Sequence, residues 1–215
     1  MSNRVGRLFP MLILTIILTG LAYFSTIGRR DIDSLTNSFE VIEVPRDVSI
    51  LRVSTTWPWK YFQSLTFDKI VEQSDLVAVV EITGPIESYS DGENYPFTLH
   101  TGRIIHTLKG RTPDNIIRVL QYGGYDTRAG GFILNEGLPL IRKGDYWLFF
   151  LQKMDWEPNF KMALPDNTFH PQPLTSLKYE KGYVKTPTET APLLPEQLKI
   201  SGLTLQEFKS RYIKP

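Results

Sequence analysis

The side chains with most chemistry to offer are three histidines. His100 and His106 fall in one run of strand character, from Phe97 to Leu108. Their even spacing puts them on one face of that strand, and six residues of strand separate them by about 20 Å. Ligands of one metal ion must converge on a single point, so this pair does not bind one together. His170 stands in a proline-flanked loop. The expectation is therefore solvent-facing strand histidines, no metal site and no cofactor.

A second candidate is the glycine-rich stretch from Gly123 to Gly131. It lacks the lysine and hydroxyl of a phosphate-binding P-loop, and it does not lie between a strand and a helix. It reads as a hairpin loop whose glycines supply positive φ angles. Tyr125, Asp126 and Arg128 within it are the side chains best suited to contact a partner, because binding functions concentrate on loops. Acid pairs such as Asp91 and Glu93 read as solvated loop charge. Asp145 precedes an apolar strand, where a carboxylate commonly accepts hydrogen bonds from nearby backbone N–H groups. Neither G-x-S-x-G nor H-E-x-x-H occurs, so no catalytic residue is assigned.

Composition narrows the classes further. The chain has 24 basic and 23 acidic residues. Residues 1–30 hold Arg4, Arg7, Arg29 and Arg30 and no acid, which leaves 24 − 4 = 20 basic against 23 acidic residues for the remainder. A body with a slight negative excess lacks the basic face that phosphates require, and no nucleic-acid partner is expected. The absence of cysteine removes disulfides, thiolate zinc sites, a cysteine nucleophile and a lipid-carrying cysteine.

The stretch from Leu8 to Gly28 carries no charge. Its length matches the roughly 20 helical residues that span a hydrocarbon core. Arg4 and Arg7 before it favour a cytoplasmic N-terminus, and Arg29 with Arg30 weakens that asymmetry. A cleaved signal peptide is the alternative: Leu8 to Leu18 has the length of its apolar region, and Gly20, Leu21 and Ala22 offer a cleavage site. Both readings place residues 31–215 outside the cytoplasm, either as a single-pass membrane protein held by residues 8–28 or as a secreted domain.

The elements that must position these groups read as follows. Residues 31–63 form a spacer with a candidate strand at Phe39 to Val44 and an aromatic run from Trp57 to Phe62. Thr66 can cap a short helix in which Phe67, Ile70 and Val71 share a face. Strands are predicted at Leu76 to Thr83, ended by Gly84 and Pro85, then at Phe97 to Leu108, Asn115 to Gln121 and Phe132 to Leu134. Lys143, Gly144 and Asp145 turn into Tyr146 to Leu151, the most apolar strand. Asn159 to Ala163 and Gly182 to Lys185 are weaker candidates. Thr204 and Glu207 form a capping box for a C-terminal helix carrying Leu205, Phe208 and Tyr212. Closely spaced strands with helices near the ends give a mainly β fold, a small barrel or sandwich.

In order, Ser74 to Thr83, Gly102 through Leu108-Lys-Gly110, Tyr122-Gly-Gly124 and Lys143 to Leu151 form a pattern. It resembles a group of exported bacterial proteins in which SDLVVVGEV, VLKG, GG and GxxYLLFL recur. More distantly the order is similar to the netrin-like, OB-type barrels of metalloproteinase inhibitors. That resemblance implies a five-stranded barrel with short flanking helices over residues 64–215, and binding rather than catalysis. Those inhibitors hold the protease zinc through an N-terminal cysteine, and this chain has no cysteine. Its expected role is a membrane-tethered, extracytoplasmic, non-catalytic binding module for a protein, peptide or envelope component. The alternatives are an accessory subunit of a membrane complex and an enzyme with an unrecognised carboxylate site.

Overall fold

A computed structural model describes residues 42–43, 48–53, 63–90, 94–126, 128–158, 161–172 and 174–214. These fall in one compact unit, Glu40–Pro215. The expected membrane segment 8–28, the aromatic run 57–62 and the pair Asp91 and Glu93 lie outside the described residues.

The strands, in chain order, are β1 (Ile42–Glu43), β2 (Ile50–Val53), β3 (Leu76–Tyr89), β4 (Phe97–Lys109), β5 (Ile116–Tyr122), β6 (Gly124–Asp126) and β7 (Gly131–Asn135). They continue as β8 (Tyr146–Lys153), β9 (Trp156–Glu157), β10 (Met162–Ala163), β11 (Thr168–Pro171), β12 (Leu177–Glu180), β13 (Tyr183–Lys185) and β14 (Ser201–Thr204). Two α-helices flank them, α1 (Phe67–Gln73) and α2 (Leu205–Tyr212).

Five strands close on themselves: β3 pairs β4, β4 pairs β5, β5 pairs β11, β11 pairs β8, and β8 returns to β3. All these pairings are antiparallel except β5 with β11. The fold is thus a mainly β structure with a closed barrel. Its interior takes a buried side chain from each of three strands at alternate positions: Ala78, Val80 and Ile82 on β3, Ile117 and Val119 on β5, and Trp147, Phe149 and Leu151 on β8. Phe169 of β11 and the partly buried Ile104 of β4 complete it.

The opposite faces of β3 and β8 build a second core. Val77, Val79, Leu148 and Phe150 pack there against Phe67 and Ile70 of α1 and Phe208 of α2. Phe67 lies 5.7 Å from the rings of both Phe150 and Phe208. The double-sided apolar pattern of Tyr146 to Leu151 therefore has two separate causes, barrel on one side and helices on the other. Tyr146 alone departs, with its side chain at the surface.

The expected helix caps are present. Thr66 accepts from the Lys69 N–H, and the Thr204–Glu207 box is complete. Lys109 closes the far end of α1, its Nζ donating to the carbonyls of Val71, Glu72 and Ser74 at 2.7–2.9 Å. Gly110 follows with φ +83, and a Cβ there would lie 2.1 Å from the Asp75 carbonyl oxygen. The Leu108-Lys-Gly110 motif is thereby a device for seating α1 on β3.

Three expectations are corrected. β3 does not end at Gly84 and Pro85 but runs on to Tyr89. Its register with β4 shifts between Ile82 and Ile86, so Thr83, Gly84 and Pro85 stand against Thr101 alone. Such a bulge tolerates a proline, which needs no ladder N–H there. Second, His100 and His106 do not share a face. Val79 pairs His106 while Val80 pairs Ile104, leaving Ile105 unmatched, and this extra residue reverses the alternation between the two histidines. Third, the histidines are not uniformly solvent-facing: His106 is exposed, whereas His100 is fully buried. Strands β2, β6, β9, β11, β12 and β14 have no counterpart among the predicted ones. β2, from within the expected spacer, runs parallel to β7 in a separate sheet with β6.

Candidate functional site

The loop candidates sit on the β6–β7 hairpin. Tyr125 and Asp126 are half-buried and Arg128 is exposed. The Asp126 carboxylate accepts from the N–H groups of Arg128 and Ala129 at 2.8 and 3.1 Å. It thus shapes the turn, and the Tyr125 N–H donates to Ser88 Oγ. These contacts place the hairpin without directing its side chains at one point. Asp145 behaves as expected, accepting from the Arg142 N–H at 2.8 Å, and also pairs with Lys178 at 2.7 Å.

A cleft opens elsewhere, where β5 and β11 part. In the β4–β5 ladder, Ile104 N–H bonds to Asn115 O, so odd-numbered residues of β5 face β4. The even-numbered ones face β11, and Arg118 N–H accordingly reaches Asn167 O at 2.9 Å. The parallel pairing covers Thr168 with Arg118 and Phe169 with Val119. Its next rung would need an N–H at residue 171 for the Leu120 carbonyl, and residue 171 is proline. The strands separate there, and β11 continues along β8 instead.

The space so made has a volume of about 220 Å³. Leu120, Leu138, Ile141 and Leu174 supply its apolar surface. Tyr95, Tyr122 and His170 supply aromatic rings with polar atoms. The Tyr122 and His170 rings meet edge to face, with centroids 5.1 Å apart. Among the described residues no lysine, arginine, aspartate or glutamate lines the cleft.

Its electrostatics are those of a neutral site. Burial holds the His170 imidazole down to about 4, so it is uncharged at neutral pH. Burial pushes Tyr95 up to about 12, and its hydroxyl has no hydrogen-bond partner among the described residues. Tyr122 is pushed up to about 12, by burial first and then by the Glu157 carboxylate that accepts its hydrogen bond at 3.2 Å. Gln121 donates to the Pro139 carbonyl at 2.7 Å and so ties β5 to the 135–141 loop at the back of the cleft.

His100 stands behind this wall. Gln121 uses its amide nitrogen on Pro139, so its oxygen faces His100 Nε2 at 3.1 Å. This assigns the proton to Nε2 and leaves Nδ1 a bare acceptor, without a partner among the described residues. Burial lowers the His100 pKa to about 4, against its hydrogen bond to the Gln121 oxygen and the charge of Asp145, which raise it.

None of Tyr125, Asp126 and Arg128 lines the cleft, although Asn135 at the base of their hairpin does. Sequence reasoning placed His170 in a loop and assigned nothing to Tyr95. The usable signal was Pro171, which forbids a continued ladder. Among the described residues no group of three or more His, Cys, Asp or Glu is arranged to hold a metal ion. No helix among them is long and apolar enough to cross a membrane. Compared with family models, curated proteins and solved structures, the chain finds no match.

Proposed function

We propose that this chain is a membrane-tethered, extracytoplasmic binding module, not itself catalytic, that takes its ligand in the cleft between β5 and β11. The observation that carries the binding role is the cleft itself: an apolar pocket with a few polar atoms, created by an interrupted strand pairing and lined by no ionised group among the described residues. The neutral His170 has neither a carboxylate orienting it nor a nucleophile beside it in that lining. The OB-type, netrin-like reading draws support from strand order. Counted within the barrel, the strands run 1-2-3-5-4 and back to 1, with the third and fifth parallel. The tether at residues 8–28 rests on the uncharged apolar stretch and the flanking arginines.

Two experiments test this. A reporter that works only after export, fused at the C-terminus, should be active, and activity of a cytoplasm-only reporter overturns the location. A set of small neutral fragments, screened by thermal unfolding, should contain members that raise Tm saturably. That effect should vanish in Ser176→Trp, which fills the cleft from its lining. If no fragment raises Tm, or Ser176→Trp responds equally, the cleft is not the binding site.

An accessory-subunit role is the second reading. Ile50, Leu51 and Val53 on the edge strand β2 are each 37–41% exposed, an apolar strip of the kind that meets another chain.

A further inference from the structure

We infer that the cleft binds a short extended peptide segment, which adds as a strand along the free edge of β5 and places one uncharged apolar side chain in the pocket. This rests on the reading of the cleft as a ligand site and names its ligand class.

Three observations converge. The first is the unfinished ladder. The lateral groups of Leu120 and Tyr122 share the direction of the Arg118 N–H; the Leu120 N–H is taken by the Phe169 carbonyl in the last β11 rung, while the Leu120 C=O and the Tyr122 N–H and C=O lie past it. Pro171 cannot supply the N–H that the Leu120 carbonyl would take, so an incoming backbone amide has an acceptor waiting for it. The Tyr122 N–H, two residues on, is a donor along the same edge and past the last β11 rung. A donor and an acceptor at this spacing are what an extended peptide satisfies with its own backbone.

The second is volume. About 220 Å³ exceeds the roughly 150 Å³ that holds one benzene ring, leaving space for one aromatic or branched side chain beside its backbone. It is too small for a nucleotide or a large cofactor, whose sites run from about 300 Å³ upward. The third is charge. With no ionised side chain among the described residues of the lining and His170 neutral, a charged side chain would lose its hydration without a partner there. Tyr95 Oη, which lacks a partner among the described residues, gives the side chain or its backbone one further hydrogen bond.

The test uses the full-length chain and acetyl-Ala-Phe-Ala-amide as probe. Binding is read from the backbone amide signals of Leu120 and Tyr122 by NMR. Addition of the peptide should shift both signals saturably. Peptides with Asp or Lys in the central position should bind at least tenfold more weakly. N-methylation of the central residue, which removes one backbone donor, should also weaken binding at least tenfold. Tyr95→Phe should weaken binding with Tm unchanged, and Ser176→Trp should abolish it. If para-cresol binds as well as the peptide and N-methylation has no effect, the site takes an isolated ring; strand addition is then overturned while the ligand-cleft reading stands. If no probe shifts either amide signal, the peptide inference is overturned, and the fragment screen decides separately on the cleft. Unshifted amides with shifts confined to the β2 edge would overturn the placement.

Discussion

At the scale of single residues, the buried histidines make stability depend on pH in a defined window. His100 and His170 are both held at about 4 by burial, against an ordinary value of 6.5. Above pH 6.5 the imidazoles are neutral in the folded and unfolded chain alike, and they contribute no pH dependence. Between 6.5 and 4 the unfolded chain takes up protons that the folded one does not, so stability falls as pH falls. The slope approaches about 1.4 kcal/mol per pH unit for each histidine. Urea unfolding between pH 7.5 and 5 should show this loss, and His100→Gln should remove part of it. A flat profile would mean that these rings are not buried as described. Lys109 supplies a second residue-scale prediction. Its three bonds go to carbonyls at the end of α1, where the helix runs out of backbone donors; of the three, Val71's also takes the Ser74 N–H, at 3.3 Å. Lys109→Met keeps the stem and removes the donors, and should cost about 1–3 kcal/mol in denaturant unfolding. A cost below about 0.5 kcal/mol would reduce the contact to ordinary surface polarity.

At the scale of elements, β8 should matter most and the β6–β7 turn least. Trp147 and Phe149 fill the barrel interior, while Leu148 and Phe150 fill the helical side of the same strand. Truncating either aromatic to alanine leaves a cavity and should cost about 3–5 kcal/mol. Replacing Tyr125, Asp126 and Arg128 together should cost under about 1.5 kcal/mol, chiefly through the two bonds that Asp126 accepts in the turn. Thermal unfolding of Trp147→Ala, Phe149→Ala and the triple variant side by side checks the order. A triple variant less stable than both aromatic ones would show that the hairpin, not β8, organises the barrel.

For the whole molecule, the separation of roles is the main consequence of the fold. The segments Ser74 to Thr83 and Leu108-Lys-Gly110 are occupied with construction. Ser74 Oγ donates to the Ile70 carbonyl, Asp75 accepts from the Lys153 N–H, and Lys109 caps α1. The cleft draws instead on Tyr95, Leu120, Tyr122 and His170, which lie outside those segments. Changes in the cleft should therefore alter binding with little effect on folding. Tyr95→Phe should leave Tm within about 1 °C of the original, because its hydroxyl satisfies nothing among the described residues. A large fall in Tm would show that the hydroxyl is structural.

The sequence by itself determined the elements whose signal is local. Thr66 before Phe67, the box at Thr204 and Glu207, and the apolar run at Tyr146 to Leu151 each carry their own physical instruction, through capping bonds or burial period. The tertiary structure decided what depends on pairing between distant segments. β11 is four residues long and contains histidine and proline, so no periodicity marks it; it exists because β5 and β8 offer it edges. The burial of His100 followed from one unmatched residue, Ile105, which reverses the alternation that spacing alone suggests. The cleft has the same origin. Pro171 is visible in the chain, but its missing N–H becomes a site only where Leu120 lies across from it. That alignment is a property of the closed barrel, since strand register is set by all the pairings together rather than by any one segment.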